Sequence, residues 1–416
     1  MSNKFIVEGL NGKKTLRGEI RIGGAKNAIL KALAATVLFD DEVQMTNVPD
    51  IEDVKRMREL LLALKTEPTV LKKEIAEKFR ASIVLSGPVL ARYGKVEFPF
   101  PGGCVLGERS IDLFLNGFRA MGAAVEEDDS YFTITCPSTP LGVNKLKGAR
   151  IVFPLVSVTG TETLMMAAVL AEGQTVLENA AMEPEIADLA FYLNECGAKI
   201  EGAGTPTITI TGGNLLHAGG TPYHTPPDRI ETGSFAILAA LAGEDITITN
   251  CNPNWVEVPL KLLEQAGVTI ETGKDFIRIK KSDKPYKMVS VRTHEYPGFA
   301  TDLQAPMAVF MSQCEGEGSI LETIFDGRFR YVDDLVVMGA SMVVMNPHRV
   351  LIRGPKELSR KNLASPDLRG GLAYILAATV AEGTSTIDNA YLIDRGYEHI
   401  EERLRKLGLN IKREAV

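Results

Sequence analysis

Residues 366–390 read Pro366-Asp367-Leu368-Arg369-Gly370-Gly371-Leu372-Ala373-Tyr374-Ile375-Leu376-Ala377-Ala378-Thr379-Val380-Ala381-Glu382-Gly383-Thr384-Ser385-Thr386-Ile387-Asp388-Asn389-Ala390. An apolar, small-residue-rich run of helical character opens the stretch. An acidic Gly-containing turn, Ala381-Glu382-Gly383, stops it. A short strand pattern follows and ends in an asparagine corner. The same wording stands earlier in the chain. There Thr161-Glu162-Thr163 opens the apolar run, Ala171-Glu172-Gly173 stops it and Glu178-Asn179-Ala180 turns the corner.

Working outward, four more openings of this kind are visible: Gly24-Ala25-Lys26-Asn27, Arg80-Ala81-Ser82, Glu231-Thr232-Gly233 and Thr301-Asp302-Leu303. In each unit a second, amphipathic helix ends at a glycine before the next strand. The stops are Met121-Gly122-Ala123, Cys196-Gly197-Ala198, Ala266-Gly267-Val268, Met338-Gly339-Ala340 and Leu407-Gly408-Leu409. Glycine supplies the left-handed residue that closes a helix. The openings are roughly 55 to 80 residues apart, longer than solenoid repeats, so each unit is a mixed α/β module. Six modules divide as three plus three at the Gly/Pro-rich stretch Gly219-Gly220-Thr221-Pro222-Tyr223-His224-Thr225-Pro226-Pro227. The first module departs from the pattern. After Leu60-Leu61-Leu62-Ala63-Leu64 it continues Lys65-Thr66-Glu67-Pro68 and a helical-looking Val70 to Phe79, as if a β-hairpin had been lost.

The bulk properties narrow the function. A chain of 416 residues, 45% hydrophobic and 24% charged, predicts two well-packed soluble domains. A formal net charge of −7 disfavours a general nucleic-acid binder and suits local cations acting on a small anion in a cleft. Cys104, Cys136, Cys196, Cys251 and Cys314 are odd in number and form no C-x-x-C pair. That pattern argues against a disulfide framework or zinc site and for a reducing compartment. The apolar runs are too short to span a bilayer and no secretory run opens the chain, so a cytoplasmic protein without membrane insertion is expected. No metal or other cofactor is implied, and no protein partner is inferable.

One cysteine stands apart. Pro99-Phe100-Pro101-Gly102-Gly103-Cys104-Val105-Leu106-Gly107-Glu108-Arg109 places a thiol on a glycine-rich loop with an arginine five positions on. A nearby guanidinium lowers a thiol's pKa and makes it a candidate proton donor or nucleophile. A small buried hydrophobe is the blander reading of any free cysteine.

Several further motifs join this loop in order along the chain. They include Gly24-Ala25-Lys26-Asn27-Ala28, Glu183-Pro184-Glu185-Ile186, Asp228-Arg229-Ile230-Glu231-Thr232-Gly233, Phe299-Ala300-Thr301-Asp302, Asp367-Leu368-Arg369 and Ile393-Asp394-Arg395-Gly396-Tyr397-Glu398. Together the set resembles the UDP-N-acetylglucosamine 1-carboxyvinyltransferase family of enolpyruvyl transferases, over nearly the whole chain. The resemblance implies two inside-out α/β domains, each of three repeated βαβ-type modules, with the first module here shortened. It implies a domain over 22–229 carrying the cysteine loop, and a second over 1–21 plus 230–416, joined by two crossings. The implied reaction moves the enolpyruvyl group of phosphoenolpyruvate onto the 3-hydroxyl of UDP-N-acetylglucosamine and releases phosphate, opening peptidoglycan precursor synthesis.

By the same resemblance Cys104 protonates the methylene carbon. Asp302 is the base at the sugar hydroxyl, and Asp367 assists proton relay. Lys26, Asn27, Arg109, Arg369 and Arg395 hold phosphoenolpyruvate, with Lys26 and Arg395 also counted as catalytic. Guanidinium forks suit carboxylate and phosphate alike. Arg80, Arg109, Ser110, Ile111, Asp112, Leu113, Ser157, Val158, Asp302 and Ile324 fall at the UDP-sugar positions, and Glu185, Asp228 and Glu231 at supporting ones. Each has a plainer reading beside it: helix capping for Asp302 and Asp367, neighbour salt bridges for Arg369 with Asp367 and Arg395 with Asp394. Leu155 and Thr159-Gly160 depart from the family pattern. Two other readings compete: a sibling carboxyvinyltransferase with another acceptor, such as shikimate 3-phosphate, and a non-catalytic UDP-sugar-binding paralogue. The Cys104 loop argues against the shikimate acceptor, and the presence of the full residue set against the paralogue.

Overall fold

The computed structural model describes residues 3–100, 111–138 and 145–415. The chain separates into two compact units, one built around residues 24–104 and 109–226, the other around 1–23 and 227–416. Cys104, Arg109 and Ser110 lie outside the described residues.

The module read from the sequence is a four-stranded sheet with one recurring topology. A parallel edge strand pairs with a central strand, and two antiparallel strands follow. Thus Val291–Arg292 runs parallel to Gly316–Leu321, which pairs antiparallel with Arg349–Gly354, and that in turn with Ser341–Asn346. Leu16–Arg21, Gly243–Thr249, Phe276–Lys280 and Thr269–Thr272 repeat this order. So do Asn362–Ala364, Thr384–Asp388, Asn3–Glu8 and Ile411–Ala415. The first two strands of the chain are therefore members of sheets otherwise built from residues beyond 240. In the other unit Arg150–Val152, Gln174–Glu178, Thr207–Thr211 and Ile200–Glu201 form the same array.

The shortened module is visible as a sheet of only two strands, Met45–Thr46 parallel to Tyr223–His224. Helix Glu52–Leu64 is in place, and where the hairpin would follow it the chain makes turns and the short helix Lys73–Ala76. Val70 to Phe79 is not one helix. Val70 instead bridges Glu97 in parallel fashion, beside the sheet Lys95–Pro99, Tyr131–Thr135 and Ala124–Glu127, and only Lys73–Ala76 is helical. Leu71, Ala76 and Phe79 are buried, and the backbone N–H of Leu71 donates to the Glu97 carbonyl at the edge of that sheet.

Each module contributes one core helix. In the unit of 227–416 these are Arg229–Ala242, Gln304–Ser312 and Leu368–Val380. They touch one another, and nearly every residue in them is buried. A helix that is apolar all round has no face for water, so it must be enclosed by the sheets. The arrangement puts helices inside and sheets outside. Close approach demands small residues: a side chain at Gly233 would meet Leu303 Cδ1 at 2.5 Å. The other unit uses Lys26–Ala35, Ser86–Tyr93 and Val158–Ala168. There a Cβ on Gly87 would lie 2.2 Å from the Thr163 carbonyl oxygen, so two of its helices pack backbone against backbone.

The corners have a common cause. Asn47, Asn179, Asn250 and Asn389 all take positive φ, between 52° and 58°. Asparagine tolerates this left-handed region because its short amide bonds locally. At Asn47, Asn179 and Asn250 the amide Nδ2 donates to a backbone oxygen, of Thr225, Phe153 and Ile22 respectively, at 2.8–2.9 Å. The five predicted glycine stops also have positive φ.

Candidate functional site

In the unit of 227–416 the predicted residues converge at the starts of two core helices. Asp367 caps Leu368–Val380, its Oδ1 accepting from the backbone N–H of Arg369 at 2.8 Å and of Gly370 at 2.9 Å. The cap fixes the first helical turn and so presents Arg369. Its guanidinium is not paired with Asp367. Nη1 donates to Tyr397 Oη at 2.9 Å and Nη2 to Asp302 Oδ2 at 3.0 Å. Tyr397 is fully buried and shares a further hydrogen bond with Ser234 Oγ.

Asp302 sits in the 3₁₀ turn Thr301–Leu303 that leads into Gln304–Ser312, and no side chain caps that turn. The capping alternative is therefore not realised. The two oxygens of Asp302 go to two different guanidiniums, Oδ2 to Arg369 and Oδ1 to Arg328 Nη2 at 2.6 Å. Both arginine side chains are less than 10% exposed, whereas 27% of the Asp302 side chain reaches solvent. Burial by itself would raise this carboxyl, but Arg369 and Arg328 together outweigh it and hold it well below the usual carboxylate range. The result is a carboxylate held ionised in a cationic cradle while both arginines stay on it.

Arg328 was not singled out from the sequence. It follows the Asp326-Gly327 turn, where Gly327 has φ +67°, and a lone arginine after a turn carries no pattern. Glu322 was missed as well. It is fully buried, and the backbone N–H of Ile324 donates to its Oε1 at 2.8 Å. Ile324, a predicted sugar-nucleotide position, is thereby fixed in place. Asp394 takes two bonds from Arg413, each 2.7 Å. Arg395 itself is partly buried. Asp228 caps Arg229–Ala242 through Ile230 N and Glu231 N, and Glu231 binds Arg403 and the backbone N–H of Gly23.

In the unit of 24–226, Lys26 opens its helix and lies 2.7 Å from the buried Asp53 carboxylate. Asn27 is beside it and half-buried. Arg80 begins the 3₁₀ turn Arg80–Leu85, and Ile111, Asp112 and Leu113 lead into helix Asp112–Ala120. Ser157 caps Val158–Ala168, its Oγ accepting from Gly160 N at 3.0 Å, and Leu155 is 71% exposed just before it. A Cβ at Gly160 would meet Ser157 Oγ at 3.1 Å and Phe153 at 3.2 Å, so the Thr159-Gly160 order fits this cap.

Deeper in the same unit Glu162 is entirely buried, with Lys31 Nζ 3.2 Å from Oε2. Among the described residues nothing else meets its oxygens, and burial pushes its carboxyl up to about 7, with Lys31 opposing and Glu185 and Glu183 adding to the rise. The sequence reading passed over this pair because a Lys–Glu separation of that length leaves no local signal.

The four described cysteines, Cys136, Cys196, Cys251 and Cys314, are buried and unbridged. Burial pushes the Cys136 and Cys314 thiols up to about 12 and Cys251 to about 11, far from the thiolate that reactivity needs. Among the described residues no group of three or more His, Cys, Asp or Glu side chains could hold a metal ion. No helix among them is long and apolar enough to cross a membrane.

Comparison with known proteins fits this geometry. The family profile of EPSP synthase (3-phosphoshikimate 1-carboxyvinyltransferase) matches residues 10–404. A UDP-N-acetylglucosamine 1-carboxyvinyltransferase from Aeromonas hydrophila subsp. hydrophila is 42% identical, over 99% of both chains. Among solved structures, the enolpyruvyl transferase NikO from Streptomyces tendae superposes with a TM-score of 0.87 at 22% identity, covering 100% of this chain and 99% of that one. EPSP synthase from Acinetobacter baumannii gives 0.71 at 18% identity, with 100% of both chains covered. The two solved structures share the fold, and the full-length identity to the Aeromonas relative, with the profile match, shows that this chain belongs to the EPSP synthase family of carboxyvinyltransferases.

Proposed function

We propose that this chain transfers the enolpyruvyl group of phosphoenolpyruvate to the 3-hydroxyl of UDP-N-acetylglucosamine and releases phosphate, the first committed step of peptidoglycan precursor synthesis in the cytoplasm, and so serves cell-wall growth, shape and division. The observation that carries it is the 42% identity, over 99% of both chains, to a relative named for that acceptor. The charge pattern supports it. The ionised Asp302 can accept a hydrogen bond from the sugar hydroxyl and receive its proton as the new C–O bond forms. Arg369, Arg395, Lys26 and Asn27 supply the cations and the amide for a phosphate and a carboxylate, with Arg109 on the cysteine loop. Cys104 delivers the proton to the methylene carbon, and Asp367 holds the turn that presents Arg369.

The state of Asp302 bears on this chemistry. With two guanidiniums on it the carboxylate is a weak base. If Arg369 turns its fork to the anionic substrate, Asp302 keeps only Arg328 and becomes more basic as phosphoenolpyruvate arrives.

The test is phosphate release from phosphoenolpyruvate with UDP-N-acetylglucosamine, for the wild type and for Cys104→Ser. Release by the wild type alone, with a product heavier by one enolpyruvyl group, supports both acceptor and thiol. No release by folded wild type, but release with shikimate 3-phosphate, would replace the acceptor. No release with any acceptor would favour a binding-only protein. The same reading expects the epoxide fosfomycin, a small mimic of phosphoenolpyruvate, to add covalently to Cys104. An intact mass unchanged by drug and sugar nucleotide would remove that claim.

A further inference from the structure

Glu322 is fully buried, yet its carboxylate is saturated. Oε1 accepts from Ile324 N at 2.8 Å, Thr293 Oγ1 at 3.0 Å and Phe325 N at 3.2 Å. Oε2 accepts from Thr301 Oγ1 at 2.8 Å and Gln304 Nε2 at 3.2 Å. A buried carboxylate is costly unless its lone pairs are filled, and here donors from several segments fill them. Gln304 is itself held, its Oε1 accepting from Tyr331 Oη at 2.7 Å.

The two oxygens serve two different parts of the site. Because the single hydroxyl proton of Thr301 is committed to Oε2, its lone pairs face outward, and Arg328 Nη1 donates to one of them at 2.7 Å. The other nitrogen of the same guanidinium, Nη2, donates to Asp302 Oδ1 at 2.6 Å. The route Glu322–Thr301–Arg328–Asp302 thus sets the direction of one of the two cations on the candidate base. The other oxygen ties down the turn that carries Ile324, a candidate sugar-nucleotide contact.

We propose that Glu322 is a positioning residue for the enolpyruvyl transfer, aligning Arg328 on Asp302 through the Thr301 hydroxyl and holding the Ile324 turn through its second oxygen. The inference rests on the proposed role of Asp302 and on a sugar-nucleotide acceptor. It touches no reacting atom and acts through geometry. A misalignment on the order of 1 Å at a reacting group costs up to about a hundredfold in rate.

The two arms can be separated. Thr301→Val is close to isosteric and breaks only the Arg328 arm. It is expected to lower kcat roughly 10–100-fold, leave KM for the sugar nucleotide within about twofold, and be rescued by Thr301→Ser, which restores the hydroxyl. Glu322→Gln places an N–H group against existing donors. It is expected to lower kcat to a similar extent and also to raise KM for the sugar nucleotide. In the double variant kcat should fall no further than in Glu322→Gln alone, because both changes cut one route. Multiplied losses, or normal kcat in properly folded Thr301→Val, would overturn the proposal. A crystal structure of Glu322→Gln supplies a readout independent of the acceptor. Displacement of Arg328 Nη2 from Asp302 Oδ1 supports the positioning role, and an unchanged pair refutes it. Wild type that fails to turn over UDP-N-acetylglucosamine, together with that displacement, would sink the acceptor reading and the Ile324 arm with it, and leave the alignment of Arg328 on Asp302 by Glu322 standing.

Discussion

Glu162 and Asp302 are carboxylates near the starts of core helices, one in each unit, and their surroundings drive them in opposite directions. Glu162 is wholly buried, has one cation 3.2 Å away and neither oxygen hydrogen-bonded among the described residues, and its carboxyl rises to about 7. Asp302 keeps 27% of its side chain in solvent and has a guanidinium on each oxygen, so it stays ionised. The difference teaches that burial and charge are separable variables in this fold. The same module encloses a carboxylate completely in one unit and leaves one partly open between two arginines in the other. Only the second has the exposure and the arginines that an anionic substrate requires.

The largest effect that could break this contrast is at Asp302. Asp302→Asn should lower the rate of phosphate release by roughly 10²–10⁴-fold, the usual worth of a general base. Binding of UDP-N-acetylglucosamine, followed by calorimetry, should fall much less. A loss under about tenfold would take Asp302 out of the chemistry.

Next is Glu162. Its folded pKa of about 7 lies above the ordinary glutamate value of 4.5. The folded form therefore holds a proton that the unfolded chain has released, and stability is greatest below about pH 4.5 and declines as pH rises toward 7. Glu162→Gln mimics the protonated form. It should leave stability at pH 4.5 nearly unchanged and raise it on the order of 3 kcal/mol at pH 8, at about 1.4 kcal/mol per pKa unit. Urea titrations at the two pH values check this. Equal effects at both would show that Glu162 is already ionised throughout, and the contrast with Asp302 would vanish.

The smallest effect concerns how the core helix that carries Glu162 is packed. A Cβ added at Gly87 would lie 2.2 Å from the carbonyl oxygen of Thr163, the residue after Glu162, and backbone cannot step aside. Gly87→Ala should cost about 1–3 kcal/mol. Gly233→Ala, where the obstacle is the end of the Leu303 side chain, should cost less. If the order were reversed, backbone packing would not be the tighter constraint between the core helices of the first unit.

How much of this was legible beforehand differs by kind of feature. The modules were readable because their signals are local: Asn179 and Asn389 bend the chain at positive φ, and Gly197 and Gly408 end helices there. The shortened module was readable as a missing pattern, although Val70 joined a sheet edge where a helix was expected. Lys26, Asp302, Arg369 and Arg395 could be picked out only as members of a motif set, and of the plainer readings the cap by Asp367 is made while Arg369 pairs with Asp302 and Tyr397 and not with Asp367. Asp302 caps nothing, and Asp394 is bonded by Arg413 from near the end of the chain.

What the sequence determined by itself was therefore the repeat, its stops and corners and the inventory of charged residues, because backbone constraints act between near neighbours. Which cation meets which carboxylate was decided by the tertiary structure. Arg328, Arg369 and Tyr397 reach Asp302 or one another across separations of 26 to 67 residues. Their strength comes from being withdrawn from water together, and no periodicity in the chain records that.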